Sequence, residues 1–236
     1  MMLPRRLEPE WLDELPADDP RAVRSRRDLV RVNAWMRQPV IMARALVRHG
    51  TPGRPRRILD LGAGDGAFML RVARRLASRW QGVTAILLDR QDIVSRETRE
   101  AFAALTWNVE TVTADVLDFL GRAKSADVDI VTSNLFLHHF THEQLAGLLA
   151  QAAQAGGLFV ACEPRRAKLA VRASRMLWAI GCNDVTVHDA VASARAGFDG
   201  RELSALWPSR SGWDLHEHSA GLFSHCFVAR RATPGR

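Results

Sequence analysis

The sequence contains no tyrosine and only two lysines, Lys124 and Lys168, among its 236 residues. Without tyrosine, any proton transfer at a substrate falls to a histidine or a carboxylate. Nearly all of the 33 basic residues are therefore arginines, and they are spread along the chain rather than banded. A bias toward arginine and alanine accompanies a GC-rich genome, so the net charge of +7 does not by itself predict a nucleic-acid partner.

Cysteines and long apolar runs are also scarce. Cys162, Cys182 and Cys226 lack metal-ligand spacing, and their odd number argues against a disulfide framework, so no metal site is expected. No apolar run reaches the roughly 18 residues of a membrane span, and the N-terminus is polar rather than secretory. These features predict a cytoplasmic chain. With 47% hydrophobic residues, its length suits one α/β domain with an elaboration on the substrate side.

A glycine-rich turn follows the first apolar strand. Residues 58–66 read Ile-Leu-Asp-Leu-Gly-Ala-Gly-Asp-Gly, and the next ten residues have helical spacing of apolar side chains. Strand, glycine turn and helix together predict a nucleotide-binding α/β fold. Gly62, Gly64 and Ala67 also fit the relaxed dinucleotide fingerprint, which leaves an NAD enzyme as an alternative. Asp60 argues against it, because a carboxylate there would repel a pyrophosphate but attract a cationic amino-acid group.

Three more strands end in polar residues. Residues 83–89 end in Asp89, an acid that can accept hydrogen bonds from the ribose hydroxyls of an adenosine. Residues 109–116 contain Asp115 near their end, and residues 128–134 end in Asn134. Because parallel strands share one carboxyl edge of a sheet, these side chains are expected on one side of the fold.

The run from Asp60 to Gly66, followed by Asp89, Asp115 and the strand ending in Asn134, resembles class I S-adenosylmethionine (SAM) methyltransferases. The resemblance implies a Rossmann-like α/β fold, doubly wound, with seven strands in a mostly parallel sheet, an antiparallel C-terminal hairpin and an N-terminal helical cap. It implies SAM as cofactor and S-adenosylhomocysteine as product. In such enzymes an acid in the place of Asp115 accepts a hydrogen bond from the adenine amino group. The next backbone N–H donates to a ring nitrogen of the adenine. The implied cofactor residues are Asp60, Gly62, Ala63, Gly64, Asp89, Arg90, Asp115, Val116, Asn134 and Leu135.

The domain plan follows from these motifs. Residues 1–52 are expected to form a helical cap, residues 53–236 the SAM-binding domain, and residues from about 164 to 197 a substrate insertion. Within the cap, residues 1–20 are rich in proline and acids and are expected to be loose, and a helix over 22–49 is interrupted near Pro39. The apolar segment after the fifth strand suits either a hydrophobic acceptor or a packed core.

Three histidines are candidates for proton transfer, because a side chain that titrates near pH 6.5 suits a general base. His138 and His139 follow the fourth strand, where they could line the site or only shape the loop. His188 precedes Asp189 in a segment expected to be extended, and it is the preferred base or substrate ligand. His216, His218 and His225 of the terminal hairpin are expected at the surface.

Three classes of function remain open. The first is SAM-dependent O-methylation of a small, apolar hydroxylated aromatic or polyketide, with C-methylation of a quinone-precursor-like ring as a close variant. The second is an rRNA or tRNA methyltransferase, which the Ser-Asn-Leu-Phe run at 133–136 disfavours because amino-methylating enzymes on bases carry Asn/Asp-Pro-Pro there. The third is a SAM-binding protein without turnover. The sequence does not indicate an oligomeric state.

Overall fold

A seven-stranded sheet forms the centre of the molecule. The computed structural model describes residues 3–16, 18–50, 53–122 and 128–232. The strands are β1 (Arg57–Leu61), β2 (Thr84–Asp89), β3 (Asn108–Thr113), β4 (Ile130–Asn134), β5 (Leu158–Pro164), β6 (Trp213–Ala220) and β7 (Ser224–Arg231). Their order is β3-β2-β1-β4-β5-β7-β6, and only the pairs that involve β7 are antiparallel. The sheet predicted from the sequence is confirmed.

This strand order fixes where a ligand can bind. The chain leaves β1 toward β2 on one side, and β4 pairs with β1 on the other. The topology therefore switches direction between β1 and β4, and a crevice opens at the carboxyl ends of these strands.

Ten α-helices are described. They are α1 (Trp11–Glu14), α2 (Pro20–Trp35), α3 (Gln38–His49), α4 (Ala67–Leu76), α5 (Arg96–Ala103), α6 (Val116–Arg122), α7 (His142–Ala155), α8 (Lys168–Arg175), α9 (Asp184–Ala196) and α10 (Glu202–Leu206). Two short 3₁₀ turns occupy Leu137–His139 and Leu177–Ile180. The predicted break in the N-terminal helix lies before Pro39, which enters the first turn of α3.

Apolar side chains cover both faces of the sheet. Neighbouring residues of a buried strand point to opposite faces. On β1, Ile58 belongs to the cluster beneath α3 and α4, whereas Leu59 belongs to the cluster beneath α6 and α7. The helices thus hold the strands rigidly, so the loops at their carboxyl ends have fixed positions.

The described part of the N-terminal segment binds α9, although residues 1–20 are expected from the sequence to be loose. The backbone N–H of Arg6 donates to the carbonyl of Arg195, and the Arg5 guanidinium donates to the carbonyls of Ala196, His138 and Phe140. Proline and acidic composition indicated a lack of regular structure. It did not reveal that polar groups of another element would bind the segment.

The segment after β5 does not form a packed core. Leu169, Met176, Trp178 and Ile180 are all exposed.

None of the helices in the described part of the chain has the length and apolar composition of a membrane span. The three cysteines are free and buried. The boundary predicted at residue 52 lies outside the described residues, and the division into cap and domain stays a prediction.

Candidate active site

The glycine turn after β1 adopts a backbone that other residues rarely take. Gly62 and Gly64 have φ angles of 68° and 57°, in the left-handed region. A Cβ on Gly62 would lie 2.3 Å from the Phe136 ring, whereas a Cβ on Gly64 would point into open space. Gly62 is thus required by packing, and Gly64 leaves room for a ligand to approach the backbone.

A cavity of about 300 Å³ opens beside this turn. Six of the predicted cofactor residues line it, namely Gly62, Ala63, Gly64, Asp89, Asn134 and Leu135. The N-terminal helices close the other side with Leu12, Arg26, Leu29 and Val30, and α4 adds Arg71. We call this space the first cavity. Its volume is at the lower end of the range of volumes found for small-molecule binding sites.

The polar groups of the first cavity are held in place. Asp89 accepts hydrogen bonds from the backbone N–H groups of Gly64 at 2.8 Å and Gln91 at 3.0 Å. The side-chain oxygen of Asn134 is buried and has no hydrogen-bond partner among the described residues. A buried acceptor without a partner is costly, which indicates that a ligand donor belongs there.

Asp60 lies behind the turn rather than in the cavity. Its carboxyl group is buried and accepts a hydrogen bond of 2.7 Å from the Thr132 hydroxyl. Burial raises the pKa of Asp60 to about 7, and the charge of Asp89 adds to this, although the bond from Thr132 opposes it. Near neutral pH, Asp60 is therefore partly protonated, and its bond with Thr132 links β1 to β4.

Three other predicted cofactor residues do not line the first cavity. Arg90 is exposed, and the next residue, Gln91, lines the cavity instead. The Asp115 carboxylate accepts a hydrogen bond of 2.8 Å from the Leu117 N–H and borders a separate space of about 740 Å³ with Phe119. Val116, which follows it, begins α6 and is buried.

A second cavity, of about 120 Å³, adjoins the first. Leu29 and Leu135 line both, so the two spaces meet at these side chains. The walls of the second cavity are mainly apolar, from Val32, Trp35, Met36, Leu177 and Phe223. Glu10, Asp189 and Ser193 provide polar groups along one side.

A network of buried polar groups reaches the polar side of the second cavity. The Glu163 carboxylate, at the end of β5, accepts hydrogen bonds from the N–H groups of Phe136 and Leu137 and bonds His138 Nδ1 at 2.8 Å. On the other side of the ring, His138 Nε2 lies 3.3 Å from Glu10 Oε1. The Ser193 hydroxyl also donates to Glu10.

The charged groups of this network stabilise one another's ionised forms. Burial alone would lower the pKa of His138, but its hydrogen bonds with Glu10 and Glu163 and their negative charges raise it to about 9. Burial opposes ionisation of Glu10, yet its bond with His138 lowers the pKa of this carboxyl. At neutral pH, His138 is thus an imidazolium between two carboxylates and does not serve as a free proton acceptor.

The preferred catalytic histidine has a different setting from the predicted one. His188 lies within α9, so the expectation of an extended segment is wrong. Its ring stacks on Trp11 with centroids 4.0 Å apart, and its Nδ1 lies 2.9 Å from the Asp189 carboxylate. His188 is not among the residues that line either cavity in the described part of the chain.

The remaining histidines also differ in exposure. His139 is exposed on the 3₁₀ turn, and its ring centroid is 4.2 Å from that of His138. His216 and His218 are exposed as predicted. His225 is buried and lies 2.8 Å from the Glu217 carboxylate, so its predicted surface position is wrong. β7, which contains His225, is covered on both faces, so its consecutive side chains are buried. A carboxylate partner stabilises the imidazole in this setting.

Sequence reasoning missed the residues that come from distant segments. Glu10, Trp11 and Leu12 belong to the N-terminal segment, for which no local motif exists. The Asp189 carboxylate accepts hydrogen bonds from the backbone N–H groups of Trp11 at 2.8 Å and Leu12 at 3.0 Å. These bonds hold the N-terminal segment over the cavities. Glu163 could have been predicted from the sequence as a site residue, because it is an acid at the end of a buried strand.

Comparisons with known proteins agree with this geometry. A family model described as a methyltransferase domain matches residues 58–155. An uncharacterized methyltransferase of Mycobacterium bovis is 33% identical over 90 residues, which make up 38% of this chain and 40% of that protein. The chain thus spans about two fifths of the length of the curated relative it matches.

Solved structures share the fold over a longer range. An O-methyltransferase family protein from Burkholderia thailandensis superposes with a TM-score of 0.61 at 20% identity and covers 93% of this chain and 62% of its own. The plantazolicin methyltransferase BpumL, solved with SAH, has a TM-score of 0.61 at 12% identity and covers 91% of each chain. Residues 58–155 thus match a methyltransferase domain, and the chain shares the fold of these solved methyltransferases.

Proposed function

We propose that this protein transfers the methyl group of SAM to a hydroxyl oxygen of a small, largely apolar aromatic or polyketide acceptor. The meeting of the two cavities at Leu29 and Leu135 carries this proposal. Methyl transfer is an in-line displacement, so the methyl donor and the nucleophile must lie in adjoining spaces with a shared opening. One space has the polar groups that suit SAM, and the other has the apolar walls that suit the acceptor.

The first cavity fits the parts of SAM. The Asp89 carboxylate would accept hydrogen bonds from the ribose hydroxyls, as acids at this position do in nucleotide-binding folds. The unpartnered oxygen of Asn134 would accept a bond from the α-amino group, and the guanidinium groups of Arg26 and Arg71 would attract the carboxylate. SAM supplies the electrophilic methyl group when bound. Asp115 and Val116 stay proposed for adenine on the resemblance alone.

The second cavity suits a small acceptor with a polar end. Its volume of about 120 Å³ is close to the roughly 150 Å³ that accommodates one benzene ring. The apolar walls would hold such a ring, while Glu10 and Ser193 would receive its hydroxyl group. His138 lies behind Glu10, and His188 lies behind Asp189 and Trp11, so we propose both as positioning residues.

Calorimetric titration with SAM tests the cofactor assignment. Asp89→Ala should weaken SAM binding by about 1–3 kcal/mol, because charged acceptors contribute hydrogen bonds of this strength. Asp92→Ala removes an exposed acid three residues later and should leave the affinity unchanged. Wild-type affinity in Asp89→Ala would reject the ribose assignment. The same titration on Asp115→Ala decides whether the adenine contact exists.

Incubation with methyl-labelled SAM and an extract of the source organism tests the transfer. Enzyme-dependent label in the organic-soluble fraction is expected, and NMR of the product should show a methyl group on oxygen. A methyl group on a ring carbon would instead indicate C-methylation. Label in a nuclease-sensitive precipitate would favour a nucleic-acid substrate. Absence of any labelled product in spite of intact SAM binding would favour a protein without turnover.

A further inference from the structure

We propose that Glu10, His138 and His139 form a binding site for a divalent transition-metal ion such as Zn²⁺ at the edge of the second cavity. A carboxylate oxygen and two ring nitrogens, one from each residue, all lie within 4.8 Å of one another. Two imidazoles and one carboxylate form a ligand set found in catalytic zinc sites. No pattern in the sequence predicts this group, because Glu10 is remote from the histidine pair and follows no metal-binding spacing.

One pair of ligand atoms already has the spacing of a metal site. Glu10 Oε1 and His138 Nε2 are 3.3 Å apart. Two ligands on a tetrahedral ion with bonds of roughly 2.1 Å are separated by about 3.4 Å. An ion can therefore bind both atoms without movement of the backbone. His139 lies on the same 3₁₀ turn, and one of its ring nitrogens is within 4.8 Å of the ligand atoms of Glu10 and His138.

The groups behind the ligands are arranged as in known metal centres. The Glu163 carboxylate bonds His138 Nδ1 at 2.8 Å and is held by the N–H groups of Phe136 and Leu137. A carboxylate behind a ligand imidazole fixes the tautomer and directs Nε2 to the metal. Ser193 donates to Glu10 and orients that carboxylate as well. Two of the three ligands are thus positioned before an ion arrives.

Such an ion would have a defined chemical role. Three protein ligands leave a fourth position for water or another oxygen. Since Glu10 lines the second cavity, that position adjoins the space proposed for the acceptor hydroxyl. The ion would bind this oxygen and lower its pKa, which makes it a better nucleophile toward the methyl group. This role rests on the proposed function, whereas the binding of the ion does not.

Binding exchanges a proton for the ion. Without metal, the protonated His138 donates from Nε2 toward Glu10 Oε1, 3.3 Å away. Coordination requires the neutral imidazole, so this proton is released to solvent when the ion binds. No oxidant, reductant or further reactant is needed.

A titration with Co²⁺ tests the site directly. The full chain without an affinity tag is treated with a chelator, dialysed, and titrated with Co²⁺ while the visible absorption is recorded. We expect one equivalent to bind, with the intense bands of a four-coordinate ion, and competition by Zn²⁺. Glu10→Gln and His139→Ala should each weaken binding by about tenfold or more, since even the loss of groups behind the ligands has effects of 10–100-fold.

The control variant is His142→Ala, which removes an exposed histidine three residues beyond His139 and should bind the ion as the wild type does. Glu10→Gln keeps the shape of the side chain, and His139→Ala changes an exposed one, so both variants should fold; circular dichroism checks this. The proposal is overturned if no stoichiometric binding occurs, if either variant retains wild-type affinity, or if His142→Ala loses it. SAM binding by the same samples reports on the proposed function separately.

Discussion

The two cavities are built in different ways. Every strand-end residue of the first cavity lies within a few positions of β1, β2 or β4, in loops that the strands themselves position. The polar side of the second cavity joins segments far apart in the chain: Trp11 N–H donates to Asp189, 178 positions away, and Ser193 donates to Glu10, 183 positions away. The cofactor side thus depends on local turn chemistry, and the acceptor side depends on how the N-terminal segment packs on α9.

The largest expected effect on the cofactor side is the pH dependence that Asp60 imposes on stability. An unfolded aspartate titrates near pH 3.9, whereas burial raises the pKa of Asp60 to about 7 in the folded protein. Between these values the folded chain keeps a proton that the unfolded chain has lost. The contribution is therefore complete below about pH 4, decreases as the pH rises, and is lost above about pH 7. It amounts to about 4 kcal/mol.

Asp60→Asn isolates this effect. Asparagine still accepts the hydrogen bond from Thr132 but does not titrate. Urea unfolding of both proteins at several values between pH 4 and 8 gives the difference in their free energies of unfolding. This difference should grow in favour of Asp60→Asn as the pH rises and then become constant. A difference that does not change with pH would show that Asp60 is ionised in the folded protein as readily as in the unfolded one.

Gly62→Ala should have the next largest effect. The added Cβ meets the Phe136 ring and the backbone is left-handed, so we expect a loss of about 3 kcal/mol in the free energy of unfolding and no measurable SAM binding. Gly64→Ala has only the backbone strain and should lose about 1 kcal/mol. Gly147→Ala, in an exposed part of α7, should gain about 0.5–1 kcal/mol. Urea denaturation of the three variants gives this order, and equal losses at 62 and 64 would contradict it.

The same contrast explains what the sequence could predict. The sheet and its hairpin follow from local patterns in the sequence, and six of the ten predicted cofactor residues line the first cavity, because the backbone turn and the strand ends require their residue types. Glu10 and Asp189 had no such pattern. Their position depends on the pairing of a short helix with α9, which long-range contacts decide. The predicted extended segment at His188 failed for a similar reason, since the cap that Asn183 provides to α9 was not recognised.

Asp189→Ala should disturb the acceptor side and leave the cofactor side nearly intact. It removes the acceptor of two backbone N–H groups, those of Trp11 and Leu12, which we expect to lower stability by about 2 kcal/mol. Residues 3–14 should then exchange their amide hydrogens faster, and methyl transfer should fall more than SAM affinity does. Asp184→Ala changes an exposed acid on the same helix and should stay within about 0.5 kcal/mol of the wild type. Unchanged exchange in residues 3–14 would show that Asp189 does not hold them.

His188 provides the smallest and sharpest test of the acceptor side. His188→Ala should lower turnover severalfold without affecting SAM binding, because it removes a ring stacked on Trp11, and such contacts contribute about 1 kcal/mol. His188→Phe keeps the stacked ring but carries no titratable nitrogen. If His188 only positions Trp11, phenylalanine should restore most of the turnover. If His188 were the general base, both variants would lose at least about 100-fold. His188 lines neither cavity in the described part of the chain, and its Nδ1 contacts Asp189, which leads us to expect the rescue.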